Sequence, residues 1–513
     1  MATYPAVLSA KTVREAEQLW ALTHGGSTWP LMVSAATSFV HRYQAAFNIR
    51  QPILVVAGQG NNGGDGYYIA KLLQQAGKPV LVFAPFGLPK QGLDAAQAMH
   101  EYLAEGGKIY ATQAELTQAF VGLQTLSYQF SPTAKITYPV VIDALLGSGL
   151  ARPLSQAGID IINFINSNAQ QVYAVDVPSG LDADTGQPMP VCVKATATHS
   201  FIAYKPGLLT ANGPANCGEL SLDSLGVETD VVLATDDKAS SAAPKTSRWQ
   251  YDPSFTRLPC RFGNTHKSCH GNVSVIAGIG NMAGAAIIAS RAALHAGAGR
   301  VYLQCDPSHF AASLAQSPEI MFADNIHSVL ASKAVLVVGP GLGRSEHARR
   351  VMTSILDPMH CNRQGLGVLD ADALRYLAKH QQTVANWVIT PHEAEAADLL
   401  GISAAEVTAN RLVAALALYE KYQAVVVLKG AGTIVAHQAG VNFCHAGTPA
   451  MATPGMGDCL AGMIAALIAQ GLSAVDAAIT AVNWHASVGY QLAQTQRVVL
   501  ASDICQQLKL TPL

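Results

Sequence analysis

The stretch Ile53-Leu-Val-Val-Ala-Gly-Gln-Gly-Asn-Asn-Gly-Gly-Asp-Gly66 decides the fold class. Its first five residues are apolar without a break. A strand covered by helices on both faces reads that way, and such strands belong to parallel sheets. A glycine-rich turn follows at once, then a helical pattern around Tyr68 to Gln75. The same order recurs at 80–84, 140–143 and 172–177, with 201–204 and 218–222 extending the sheet. Residues 1–50 read as helical. From Leu225 to Asp252 the rhythm stops, and the polar, small-residue run TDDKASSAAPKTSRW marks a boundary. It restarts with strands expected at 273–277, 300–304, 334–338, 367–370, 387–390 and 424–428, and a helix from Asp458 to Gly471. Strands alternating with helices imply an α/β fold of two doubly wound, three-layer αβα domains. The expected division is 1–225, a boundary at 226–250, and 251–513. In such sheets ligands sit beyond the carboxyl ends of the strands.

Composition narrows the function. The 513 residues are 13% charged, with Lys+Arg 32 against Asp+Glu 34 and a net charge of −2. That balance excludes a basic nucleic-acid binder, and 50% hydrophobic content excludes disorder. No apolar run approaches a spanning helix, and the first residues lack a leader pattern, so no membrane partner and a cytoplasmic location are expected. Scarce charge suggests a homo-oligomer. The nine cysteines form no CxxC pair and read as reduced thiols. His266, Cys269 and His270 lie close together, but no second ligand pair follows at zinc spacing.

Three polar clusters fall at strand ends in the first half. The glycine-rich turn lets backbone N–H groups approach an anion, and Asn61, Asn62 and Asp65 add polar groups that a simple turn does not need. Asp143-Ala-Leu-Leu-Gly-Ser-Gly149 and Asp176-Val-Pro-Ser-Gly-Leu-Asp182 are the others. Taken singly, Asp143 and Asp176 serve equally as helix caps or as acid/base groups. Convergence on one sheet edge favours chemistry, and Asn62, Asp143 and Ser179 together offer oxygen ligands to a hard cation.

In this order the three motifs resemble the N-terminal NAD(P)H-hydrate epimerase family, over roughly 1–225 and with a Rossmann-like fold. The resemblance implies that Asn61, Asn62, Gly63, Gly64 and Asp65 contact substrate phosphates. It implies a K⁺ ion on Asn62, Asp143 and Ser179. Gly147, Ser148, Gly149, Leu150, Ala151, Arg152 and Pro153 would line the substrate, with Asp176 as acid/base.

The second half carries Gly278-Ile-Gly-Asn-Met-Ala-Gly-Ala-Ala286, Gly339-Pro-Gly-Leu-Gly343, Asp370-Ala-Asp372, Thr390-Pro-His-Glu-Ala-Glu395 and Lys429-Gly-Ala-Gly-Thr433, each after a strand. His392 is either a capping residue or a ligand contact, and Glu393 and Glu395 suit a helix first turn. Thr453-Pro-Gly-Met-Gly-Asp-Cys-Leu-Ala-Gly462 is the strongest signal. Glycines before a helix present amides to phosphate, and an Asp there suggests a base on a substrate hydroxyl. These motifs resemble the ribokinase-like superfamily, and within it the ADP-dependent NAD(P)H-hydrate dehydratases, over roughly 245–513. That resemblance implies adenine-nucleotide contacts at Lys429, Gly430, Ala431, Gly432, Thr433 and Gly457. Ala286, Gly343, His392 and Asp458 would meet the hydrated nucleotide, with Asp458 as base and Mg²⁺ assisting.

Both halves thus point to one reaction sequence. The substrates that the two resemblances imply are NADH hydrate, NADPH hydrate and ADP. The rival reading is a ribokinase-type vitamin or sugar kinase fused to a non-catalytic Rossmann-like module. Met456, where many such kinases carry a smaller residue, speaks against it.

Overall fold

Alternate residues of Ile53–Ala57 pack into opposite cores. Ile53, Val55 and Ala57 join the layer built on the N-terminal helices, whereas Leu54 and Val56 join the layer built on the helix Gln156–Asn168. This two-sided burial is why the strand is continuously apolar. Each fully buried aliphatic side chain contributes about 1.5–3 kcal/mol. The computed structural model describes residues 5–125, 137–150, 152–229, 249–255, 258–279, 281–323, 325–357 and 367–510. Ala151, Gly280 and residues 230–248 of the expected boundary lie outside them.

The chain divides into two compact units, Pro5–Ala239 and Ser240–Leu513. The first holds a seven-stranded parallel sheet. Its strands are β1 (Ile53–Ala57), β2 (Val80–Phe83), β3 (Ile109–Tyr110), β4 (Tyr138–Ala144), β5 (Ala169–Val175), β6 (Ala197–Phe201) and β7 (Glu219–Asp223). They run in the order β3-β2-β1-β4-β5-β6-β7. The chain winds outward from β1, then returns to β4 on its other side. The crevice between β1 and β4 is therefore the topological switch point, where such sheets bind ligands.

The second unit holds a ten-stranded sheet. Its strands are β8 (Trp249–Tyr251), β9 (Asn272–Ile276), β10 (Arg300–Gln304), β11 (Met321–Phe322), β12 (Val335–Val338), β13 (Gly367–Leu369), β14 (Trp387–Ile389), β15 (Val425–Leu428), β16 (Ile434–His437) and β17 (Gly440–Phe443). The order is β11-β10-β9-β12-β13-β14-β15-β16-β17-β8, with a switch point between β9 and β12. Pairings are parallel except β15 with β16 and β16 with β17.

Several expected strands shift by a residue or more at their ends, and two of the differences have a backbone cause. β5 stops at Val175 because Asp176 adopts φ +64, outside any strand conformation. β6 covers 197–201 rather than 201–204, because Ile202 at φ +68 turns the chain. Polar residues hid this strand. Thr198, His199 and Ser200 are buried in its centre, where Thr198 donates to the Cys217 carbonyl and His199 bonds Ser38 and Ser221. The helix expected from Asp458 begins at Met456, after Gly455 at φ +88.

Candidate active site

In the first unit the turn after β1 is closed by Gly58, whose N–H donates to the Ala144 carbonyl at 3.0 Å. Side chains would not fit here. A Cβ on Gly58 would run into the Leu145 carbonyl, and one on Gly63 into the Gly58 carbonyl. The helix Asn61–Gln75 starts immediately, so its first amides face the strand ends. Both amide atoms of Asn62 are buried without a partner among the described residues. Gly147 backs onto Asn62, where a Cβ would lie 3.0 Å from Asn62 Cβ.

Asp143, at the end of β4, is wholly buried. Its Oδ1 accepts from Ser179 Oγ at 2.6 Å, and its Oδ2 from the Ser179 N–H at 2.8 Å. Burial pushes its carboxyl up to about 6, against the pull of these bonds. Asp143 and Ser179 therefore form one buried unit that fixes the two loops.

A cavity of about 650 Å³ opens at this edge. Asn61, Asn62, Asp65, Gly147, Ser148, Gly149, Leu150, Arg152 and Asp176 all line it. Gly63 and Gly64 do not line it and are buried in helix packing, a Cβ on Gly64 meeting Met32 and Ala95. Pro153 also stands outside the lining, and Ala151 lies outside the described residues.

Asp176 turns its side chain into this cavity from its left-handed backbone. Oδ1 takes all its contacts, from Lys205 Nζ, from the Phe201 N–H at 3.2 Å and from Ser200 Oγ at 3.3 Å. Oδ2 has no bond among the described residues. Glu17 and Asp65 line the same cavity. Burial, then the neighbouring Asp176, pushes Asp65 well above the usual carboxylate range and raises Glu17 as well. Sequence reading missed Glu17 and Lys205. The available signal was a lysine inside the apolar run Ile202-Ala-Tyr-Lys-Pro-Gly-Leu-Leu209.

The second unit converges on the ends of β9, β12, β13, β14 and β15. The Gly278 and Ile279 N–H groups donate to the Pro340 and Gly341 carbonyls, which seats the first glycine turn on the Gly339–Gly343 loop. Gly343 donates to Asp372 Oδ2 at 2.8 Å. Ala286 is fully buried, packed where a Cβ on Gly278 would stand, so its methyl serves packing. His392 caps the helix Glu393–Leu400, with Nδ1 accepting from Ala394 and Glu395. Its Nε2 stands 3.4 Å from Glu395 Oε1.

Lys429 lies at the centre. Its Nζ is 2.7 Å from Asp370 Oδ1 and 3.8 Å from Glu395 Oε2. Burial works to lower this amine, but Asp370 and Glu395 outweigh it and hold it above its ordinary value. Gly430 has no room for a side chain against the Arg411 guanidinium, and Thr433 Oγ1 donates to the Gly430 carbonyl at 3.2 Å. Arg411 is itself paired with Glu393. Gly457 sits over the lysine, where a Cβ would lie 3.1 Å from Nζ. Asp458 follows in the first turn of Met456–Ala469. Burial, then Asp370, pushes it up to about 7, and it makes no hydrogen bond among the described residues. A carboxyl poised near neutrality and free of partners suits a general base. Asp370 Oδ2 is buried and unpartnered beside it. The sequence marked Asp370 only as a strand end and Glu395 only as a first-turn acid, so their convergence on Lys429 is new.

Among the described residues, no group of three or more His, Cys, Asp and Glu could hold a metal ion, and no helix is long and apolar enough to cross a membrane.

Residues 273–510 match the NAD(P)H-hydrate dehydratase family, and residues 29–207 match the YjeF-related protein N-terminus. A bifunctional NAD(P)H-hydrate repair enzyme of Coxiella burnetii is 36% identical over 97% of this chain and 98% of its own. That of Escherichia coli is 34% identical over 98% and 92%. An ADP/ATP-dependent NAD(P)H-hydrate dehydratase structure from Bacillus subtilis, co-crystallised with ATP and Mg²⁺, is 25% identical. It covers 49% of this chain and 93% of its own at a TM-score of 0.44.

Proposed function

The chain belongs to the family of bifunctional NAD(P)H-hydrate repair enzymes, and from that premise we propose how its two halves divide the work. The enzyme repairs nicotinamide nucleotides whose ring has gained water at C6. The first half interconverts the R and S epimers, and the second dehydrates the S epimer with ADP, releasing AMP and phosphate.

Epimerisation is assigned to the first cavity. C6 carries both the hydroxyl and the ring nitrogen, so the nitrogen lone pair can expel the hydroxyl as water once a proton is supplied. The planar iminium that remains accepts water on either face. Asp176 Oδ2 is the atom placed to give and retake that proton, because Oδ1 is already engaged. The amides opening Asn61–Gln75 suit the substrate phosphates. A K⁺ ion fits the donors here, since the Asn62 amide is buried without partner beside the Asp143–Ser179 loops. Bound there, it would supply positive charge for the phosphates.

Dehydration is assigned to the second cluster. Asp458 takes the C6 hydroxyl proton as the oxygen attacks the β-phosphorus of ADP, and AMP leaves. The nitrogen lone pair then expels phosphate, and loss of a C5 proton restores the ring double bond. The tactic replaces hydroxide, a poor leaving group, with phosphate. The amides of residues 430–433 and 457 suit the nucleotide phosphates. Mg²⁺ travelling with the nucleotide would neutralise developing charge, and the unpartnered Asp370 Oδ2 fits as its protein ligand.

The observation that carries this reading is the buried carboxyl of Asp458, without a hydrogen bond among the described residues, at a glycine-opened helix end. Low surface charge supports a homo-oligomer, which sedimentation would test. The activity test supplies a mixture of R and S hydrates with ADP, Mg²⁺ and K⁺. Full conversion to NADH with equal AMP and phosphate is expected. A stop after the S form is consumed would remove the epimerase assignment, and a persistent phosphate ester would remove the dehydratase one.

A further inference from the structure

Lys205 is among the largest fully buried side chains of the protein. An ammonium held out of water is costly unless it is paired and hydrogen-bonded. Lys205 Nζ has three acceptors, Asp176 Oδ1, the Phe201 carbonyl at 3.0 Å and Ser200 Oγ at 3.1 Å. Three acceptors use the three protons of an ammonium. The backbone is built to hold it there. Ile202 at φ +68 turns the chain out of β6, and the Tyr204 N–H is fixed by the Ala6 carbonyl. Pro206 then opens a short helix directly after Lys205. Asp176 is fixed from the same strand, its N–H donating to the His199 carbonyl at 2.9 Å.

We propose that Lys205 is the positioning residue of epimerisation, locking Asp176 through Oδ1 so that Oδ2 alone meets the C6 hydroxyl. This rests on the assignment of Asp176 as the proton-transfer group. The buried ammonium fixes the rotamer of a carboxylate that must face a cavity also lined by Glu17 and Asp65. Without it, the four carboxyl groups that line this cavity, Glu17, Asp65, Asp94 and Asp176, have only the exposed Arg14 and Arg152 as cations in the lining. The lysine touches the carboxylate and not the phosphate-binding turn, so its loss should strike turnover rather than affinity.

The test uses the full chain with Lys205→Met, Lys205→Gln, Lys205→Arg and Asp176→Asn. R-to-S conversion is followed by chiral chromatography. ADP-dependent dehydration of pure S hydrate and the thermal transition of the first unit report folding. The expected result is a fall in epimerisation kcat of about 100-fold in Lys205→Met, with KM changed less than about threefold. Lys205→Arg should recover part of the turnover, because it keeps the charge. A purely structural lysine would lower the melting point yet leave kcat per folded molecule unchanged, and that outcome overturns the proposal. If Lys205→Met loses its thermal transition, Lys205→Gln decides by the same split, since it keeps a polar group in the buried position but lacks the charge and is one bond too short to hold Oδ1 as Nζ does. Inactive Asp176→Asn with fully active Lys205→Gln would overturn the role of Lys205 alone. Active Asp176→Asn would instead overturn the assignment beneath it.

Discussion

The Nζ of Lys429 stands 2.7 Å from Asp370 Oδ1, while Oδ2 of the same carboxylate is buried with no partner. One oxygen thus pairs with the lysine, while the other is left without a hydrogen bond beside Asp458. Beyond the larger effect of burial, Asp370 raises the proton affinity of Asp458 and Lys429 lowers it, neither through a hydrogen bond. Glu395, reaching Lys429 at 3.8 Å, adds to the same field.

A base works only after losing its proton. Burial and Asp370 push Asp458 up to about 7, so dehydration of the S hydrate should rise as pH passes upward through about 7. Asp370→Asn removes a negative neighbour and frees Lys429, and both changes favour the ionised form of Asp458. The acid limb of the kcat profile should therefore move to lower pH. An unmoved limb would mean that another group governs it.

The same shift has a cost in stability. The folded value of Asp458 lies above its ordinary 3.8, so its stabilisation is present at low pH and lost as pH rises toward about 7. Asp458→Asn removes the ionisation and should stabilise the second unit at pH 8 by about 2–4 kcal/mol, while abolishing dehydration. Urea unfolding at pH 8 and at acid pH checks this, because the gain should vanish in acid.

The strand ends carrying these groups were legible because apolar runs are unambiguous in a sheet buried on both faces. Asp143, Asp176 and Lys429 each lie at the end of such a run, whereas Asp458 is marked by the glycine-flanked turn that opens its helix. What escaped was chemistry dependent on long-range packing. β6 carries Thr198, His199 and Ser200 inward, and partners distant in sequence make that tolerable: Cys217 for Thr198, Ser38 and Ser221 for His199, and Asp176 for Ser200. Lys205 is buried for the same reason, its partner lying 29 positions earlier. The antiparallel pair β16 and β17 was missed because each has four residues, joined by a turn without an Asn-Gly signal.

Two glycines of the first site separate folding from contact. A Cβ on Gly63 would strike the Gly58 carbonyl, a backbone atom that cannot yield. Gly63→Ala should cost about 1–3 kcal/mol, read as a lowered unfolding midpoint. Gly149 lines the cavity and has open space around its Cβ position. Gly149→Ala should leave stability within about 0.5 kcal/mol. Any rise in its KM for the R hydrate then measures substrate contact directly.

Asn62 offers a test of the cation assignment that does not depend on catalysis alone. Leaving its buried amide unpartnered costs about 1–3 kcal/mol, which a bound ligand would offset. Asn62→Ala removes both the cost and the ligand. Its unfolding midpoint without K⁺ should be unchanged or higher, yet added K⁺ should neither stabilise it nor stimulate epimerisation. Asn62→Asp keeps an oxygen donor and adds charge, so K⁺ should still stabilise the fold, while repulsion of the substrate phosphates raises KM. The titration is run in KCl at constant ionic strength, balanced with choline chloride. K⁺ stabilisation that survives intact in Asn62→Ala would place the ion elsewhere.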